Sequence, residues 1–232
     1  VALLSAVAGL GQSAKMVEIE GHRGARGDVP ENTIPSFIKA IELGASTIEL
    51  DLAVSADGKL VVSHEPWFSH VISLDPNGNP IAADKEKEFN IYKMKYSEIK
   101  LFDVGSLGNK GFPDQVKMKV AKPLLSEVIK AVDKYARQNK LKPVRFNIEI
   151  KSGRDWDGKF TPTPEIFAKM VYDAIVKHKL RDRVIVQSFD VRPLQELRKL
   201  PVRLPIAVLV GSKEPVERSF ERLGFIPDTY NP

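Results

Sequence analysis

Apolar positions along the chain change their period several times, and each change marks an element. Ile34, Phe37, Ile38 and Ile41 recur three and four residues apart, which predicts a helix with one apolar face. Thr33 can cap that helix and Gly44 can end it. Thr47 to Ala53 alternates Ile48, Leu50 and Leu52 with Glu49 and Asp51, which predicts a strand. Val54 to Ser63 continues it as a hairpin turning at Ala56-Asp57-Gly58. Helical spacing returns at Leu125, Val128, Ile129 and Val132, and again at Phe167, Met170, Val171 and Ala174. Leu194 to Leu200 and residues 216–223 predict two shorter helices. Between them, Val144 to Lys151, Val184 to Phe189 and Ile206 to Val210 are short runs rich in Val and Ile, as suits strands buried on both faces. Val17 to Gly21 is a first short strand candidate.

Strands alternating with helices imply parallel strands joined by crossovers. The pattern fits a doubly wound sheet or a barrel, and spacing alone does not choose. Residues 66–120 break the rhythm with Pro76-Asn77-Gly78-Asn79-Pro80 and a second turn at Gly105 to Gly111, and are expected to form an inserted subdomain after the second strand. A full barrel of eight strands takes roughly 250 residues before insertions. Five strands are legible in these 232 residues, and Tyr230-Asn231-Pro232 falls near the expected start of a sixth, so the chain reads as truncated at its C-terminus.

Composition narrows the class. Hydrophobic residues at 43% supply a sizeable core, and the absence of cysteine excludes disulfides and thiolate metal sites. A formal net charge of +5 suits a small anionic substrate and does not indicate nucleic-acid binding. Lys110, Lys117, Lys119 and Lys122 form the densest basic patch and are expected to be a solvated loop face. Residues 1–14, VALLSAVAGLGQSA, look like the apolar part and cleavage site of a secretory signal, which predicts an exported protein with the domain at 15–232. A short helix packed on the domain is the other reading, and the stretch is too short to span a membrane.

Strand geometry then places the chemistry. Glu49 and Asp51 are two apart and share one face of their strand, while Ile48, Leu50 and Leu52 share the other. Asn147, Glu149 and Lys151 repeat this, with Ile148 and Ile150 opposite. If the strands are neighbours, three carboxylates and a lysine meet on one surface. Like charges buried together are costly without a cation, and hard oxygen ligands suit Mg²⁺ or Ca²⁺ better than Zn²⁺. Surface salt bridges on an edge strand would account for the same residues. His22 and His64 fall at or beyond C-terminal strand ends, where barrel active sites assemble. Arg23, beside His22, offers a planar donor fork for phosphate. His70 and His178 are given no role.

The run His22-Arg23-Gly24-Ala25-Arg26-Gly27-Asp28-Val29-Pro30-Glu31-Asn32-Thr33, followed by Ser36-Phe37, resembles the opening signature of the glycerophosphodiester phosphodiesterases. Glu49-Leu50-Asp51, Asp57-Gly58 and Val61-Val62-Ser63-His64 resemble its continuation, and Asn147-Ile148-Glu149-Ile150-Lys151 a later strand motif. The resemblance is strong over residues 19–65 and looser over 122–211. It implies a TIM (β/α)₈ barrel and a divalent cation, Mg²⁺ or Ca²⁺, on Glu49, Asp51 and Glu149. It implies His22 and His64 as an acid–base pair, with Arg23 and Lys151 holding the phosphate. The implied reaction is hydrolysis of a small glycerophosphodiester to glycerol 3-phosphate and an alcohol, the substrate's own glycerol hydroxyl attacking phosphorus. Two features depart from the family pattern. Glu65 follows His64 where an aspartate is usual, and residues 66–120 show no Arg-Thr-Thr motif. A phospholipase D-like or sphingolipid-cleaving barrel, a non-catalytic phosphodiester-binding barrel and a metal-dependent lyase acting on carbonyl substrates remain as alternatives. The sequence assigns no oligomeric state and no released alcohol.

Overall fold

The computed structural model describes residues 18–211 and 215–231, so the signal-like residues 1–14 and Val17 lie outside the described part. The strands are β1 (Glu20–Gly21), β2 (Thr47–Val54), β3 (Leu60–Val62), β4 (Arg145–Ile150), β5 (Val184–Ser188), β6 (Ile206–Leu209) and β7 (Thr229–Asn231). The helices are α1 (Ile34–Glu42), α2 (Tyr96–Ile99), α3 (Leu125–Gln138), α4 (Pro164–Lys177), α5 (Val191–Arg198) and α6 (Val216–Leu223). One sheet runs β1-β2-β4-β5-β6-β7 with every pairing on that path parallel, and β3 folds back antiparallel on β2. Strands stand in chain order with helical crossovers between them, the arrangement of a TIM-type α/β barrel.

The local reasons are those the sequence suggests. Thr33 caps α1, its Oγ1 accepting from the Ser36 N–H, and Pro35 occupies the first turn, where its missing N–H costs nothing. Gly44 follows that helix with φ +95°, a conformation that favours glycine. β2 is buried along all eight residues. Ile48, Leu50 and Leu52 on its outer face join Ile148, Ile150 and Val186 of the neighbouring strands, against Phe37 of α1, Val128 of α3 and Phe167 of α4. Fully buried side chains of this size contribute roughly 1.5–3 kcal/mol each. The helix-side core therefore leaves the inner face of the sheet free to carry charge.

Residues 66–120 hold α2 and short helical turns around a smaller core of Phe68, Ile81, Ile91, Ile99, Phe102 and Val104, which packs on Ala53 and Val61 of the β2–β3 hairpin. The sixth parallel strand expected to start near Tyr230 is present, since β7 pairs with β6 from Thr229 onward. Two expectations need revision. β5 ends at Ser188, leaving Phe189 exposed beyond it. Lys122 does not belong to a solvated face: it is 4% exposed, whereas Lys110, Lys117 and Lys119 are exposed. Its burial is set by distant backbone, because Val62 N–H donates to Pro123 C=O at 2.8 Å and Leu124 bridges to Val61.

Candidate active site

β2 and β4 are immediate neighbours, and their register sets Asp51 directly beside Glu149 and Glu49 beside Asn147. Both strands are interior to the sheet, so a ladder of edge-strand salt bridges is ruled out. Glu49, Asp51 and Glu149 are all buried and bring carboxylate oxygens within 4.8 Å of one another. Glu49 and Glu149 line a cavity of about 650 Å³ together with His22, Arg23, His64, Gln187 and Phe189.

The loop after β1 builds one wall. Arg23 adopts φ +54° and Asn32 φ +56°, conformations that cost a non-glycine residue about 1–3 kcal/mol. The surrounding bonds hold Arg23 there. Its N–H donates to Glu49 Oε2 at 2.8 Å, and its C=O accepts from Asn32 N–H at 3.0 Å and Ser36 Oγ at 3.1 Å. Its guanidinium donates to Glu31 Oε1 at 2.9 Å and lies 3.5 Å from Asp51 Oδ2. Asn32 Nδ2 donates to the same Asp51 oxygen at 2.7 Å. Gly24, with φ +80°, makes the turn possible, since a Cβ there would lie 2.4 Å from Ser36 Oγ and 2.6 Å from the Ser36 carbonyl carbon. Gly24→Ala is therefore expected to destabilise the protein by about 2 kcal/mol or more, read as a lowered midpoint in urea. An unchanged midpoint would show that the loop can move away from α1.

On the other wall Lys151 Nζ lies 2.8 Å from Glu149 Oε1 and 3.8 Å from Asp51 Oδ1. Gln187 Nε2 donates to Glu49 Oε1 at 3.3 Å, and His22 Nε2 stands 4.0 Å from Glu49 Oε2. His64 Nδ1 is bonded to Glu65 Oε1 at 2.6 Å, so the glutamate supplies the partner that an aspartate was expected to supply.

The electrostatics follow from this crowding. Burial, then the Asp51 charge, pushes Glu49 well above the usual carboxylate range. Burial also raises Glu149; the Lys151 ammonium opposes and Asp51 adds, with a result of about 7. Partial desolvation, then the Arg23 and Arg26 charges, lowers His22, whose ring is neutral near pH 7. Burial works against ionisation of Glu65, but the His64 bond and the Lys122 and Arg23 charges outweigh it and hold that carboxyl at about 2.

These residues fit a divalent cation. Asp51 Oδ1 is buried with no hydrogen-bond partner, and Lys151 at 3.8 Å is too far to serve as one. Among the described residues, Arg23 and Lys151 are the only arginine or lysine side chains within 4.0 Å of the cluster's carboxylates, and Arg23 is shared with Glu31. The cluster thus gathers oxygen donors of the kind Mg²⁺ and Ca²⁺ take, and a cation there would favour the ionised form of all three carboxyls.

The sequence model of the glycerophosphoryl diester phosphodiesterase family matches residues 22–227, which includes every residue of this site. The chain belongs to that family. Among family relatives, the glycerophosphodiester phosphodiesterase of Bacillus subtilis strain 168 is 32% identical over 83% of this chain. The chain spans 59% of that relative's length. The crystal structure of a Silicibacter pomeroyi DSS-3 protein assigned as a glycerophosphoryl diester phosphodiesterase superimposes with TM-score 0.77 at 26% identity, covering 90% of this chain and 73% of that one. An Oleispira antarctica phosphodiesterase, solved with the product sn-glycerol-3-phosphate, shares the fold at TM-score 0.66 and 22% identity, covering 90% of this chain and 72% of that one.

All seven residues singled out in the sequence converge in this family member. Reasoning from the sequence missed Glu31, Asn32 and Gln187. Gln187 was within reach, because it alternates with Val186, which faces the helix-side core. Glu31 and Asn32 depend on the return path of the loop, which no local period encodes. No helix among the described residues is long and apolar enough to cross a membrane.

Proposed function

We propose that this chain hydrolyses small glycerophosphodiesters to glycerol 3-phosphate and an alcohol, using a divalent cation held by Glu49, Asp51 and Glu149. One observation carries the reading: three buried carboxylates meet with an Asp51 oxygen left unbonded, beside two histidines in one cavity. Membership of the family, and the name borne by the Bacillus relative, support it.

The cation, when bound, polarises phosphoryl oxygens and neutralises charge that develops on them. The chain's own residues do the rest. Arg23 and Lys151 pair with the diester's anionic oxygens and orient the phosphorus. One imidazole of His22 and His64 takes the proton of the substrate's glycerol hydroxyl as that oxygen bonds to phosphorus. The other donates a proton to the departing oxygen as the P–O bond to the alcohol breaks, and water then opens the resulting cyclic phosphate. Asn32 and Gln187 fix Asp51 and Glu49 so that neither carboxylate swings away from the cluster.

With glycerophosphocholine as substrate, a chelator is expected to cut turnover at least about 100-fold, since a cation supplies several kcal/mol of charge stabilisation. Mg²⁺ or Ca²⁺ should restore it. Full turnover in chelator would remove the cation from the mechanism. A folded protein that binds the diester with cation present and leaves it intact would favour the non-catalytic binding barrel.

A further inference from the structure

Lys122 is not used by the reaction just described, and its placement is costly. It is 4% exposed, and among the described residues no carboxylate oxygen lies within 4.0 Å of its ammonium. A buried ammonium costs several kcal/mol unless its charge is answered nearby. The ammonium lies over the ring of Phe68, whose centroid is 5.3 Å from Nζ. Burial pushes the ammonium towards its neutral form, and the charges of Glu65, Glu31 and Asp51 oppose that.

The bonds around it lead to one place. Lys122 Nζ donates to Ser63 Oγ at 2.8 Å. A hydroxyl that accepts from an ammonium must send its own proton elsewhere, and Ser63 Oγ donates to the Glu65 C=O at 2.6 Å. Ser63 N–H donates to Asp51 C=O at 2.9 Å, which ties the same residue to the carboxylate strand. His64 is the residue between these two anchors, and its Nδ1 is on the Glu65 carboxylate. An ammonium can only donate, so Ser63 Oγ accepts from Lys122 and turns its own proton to the Glu65 C=O.

We propose that Lys122 is a positioning residue for His64: through Ser63, and by its charge beside Glu65, it holds the ring with Nδ1 on the Glu65 carboxylate and Nε2 as the free nitrogen facing the cavity. The proposal rests on the functional reading above for its kinetic consequence but not for its structural one. A lysine that merely tied residues 66–120 to the hairpin would affect stability and nothing at His64.

Lys122→Met removes the charge while keeping the length of the side chain. Long-range ¹H–¹⁵N correlation of the His64 ring is expected to show the proton on Nδ1 in the parent protein and a mixture of ring forms in the variant. Turnover should fall about 10- to 100-fold, the range for losing a partner that orients an active-site ligand, and the fall should lie in kcat rather than KM. Glu65→Gln should produce a similar loss, and the double variant should be no slower than the slower single one, because both act through one ring. Mg²⁺ affinity should be unchanged, since Lys122 bonds to none of the three carboxylates. A Lys122→Met protein with a lowered melting point but the parent His64 spectrum and kcat would overturn the proposal, as would fully additive losses. Should Lys122→Met fail to fold, Ser63→Ala removes only the hydroxyl link, and an unchanged His64 ring spectrum there would overturn it equally. A parent protein that turns over no glycerophosphodiester would defeat the functional reading, while the ring spectra would still decide the role of Lys122.

Discussion

Glu49→Gln is expected to reduce turnover at least about 10³-fold while leaving the cation-free protein as stable as its parent. The two effects separate because the residue has different tasks in the two states. With a cation bound, losing one anionic ligand removes several kcal/mol of charge stabilisation, and each 1.4 kcal/mol is tenfold in rate. Without one, Glu49 is a buried carboxyl beside Asp51 and Glu149, held well above its usual range by burial and by those charges. Glutamine resembles that protonated form. It can still accept from the Arg23 N–H, and it gives up only the long bond from Gln187 at 3.3 Å, worth at most about 1 kcal/mol.

A pH series sharpens the same test. Glu149 is raised from 4.5 to about 7, so the folded cation-free protein binds a proton that the unfolded chain releases. An acid with a raised folded pKa is stabilising at low pH, and that contribution is lost as pH climbs from 4.5 through about 7. The melting point of cation-free parent protein should therefore fall across that window. Removing the Glu49 charge should flatten the fall, and saturating Mg²⁺ should reverse it in the parent by binding only the folded form. A Glu49→Gln protein with turnover within tenfold of the parent would show that the cation sits elsewhere.

Much of this site was legible because strands have a period of two. Glu49 and Asp51 against Leu50, and Glu149 against Ile148, announce which side chains share a face, and the alternation of strands with helices implies that such faces meet. The depth of the site was not legible, since it comes from contacts with no local period. Lys122 reads as one more lysine in an irregular basic stretch until Pro123 and Leu124 pair with the edge of β3 and carry it inside. The place of β7 was legible only from the spacing of the earlier strands, because Thr229-Tyr230-Asn231 has no apolar signature and only the pairing with β6 makes it a strand. Arg23 gave no sign of its left-handed backbone. That conformation is imposed by bonds from Asn32 and Ser36, nine and thirteen positions away in a loop whose return path the sequence does not spell out.

His22→Ala should cut turnover by a factor of about 10²–10⁴, the cost of losing one acid–base group, with little change in stability. The side chain is 57% exposed and forms no hydrogen bond with the described protein atoms; its nearest charged partner, Glu49 Oε2, is 4.0 Å away. Truncating it therefore opens no core cavity and orphans no buried donor, the two routes by which single substitutions destabilise most. The Arg23 N–H that braces Glu49 belongs to the next residue's backbone, so the carboxylate cluster keeps its shape and Mg²⁺ affinity should be retained. What is lost is a ring that lowered basicity keeps neutral near pH 7, able to accept a proton at the mouth of the cavity. His22→Gln offers a control, since it restores a polar side chain of similar reach without a titratable nitrogen. If the ring transfers a proton, glutamine should be as slow as alanine. A glutamine variant that recovers most of the turnover would mean that His22 only hydrogen-bonds the substrate, leaving His64 to handle both protons.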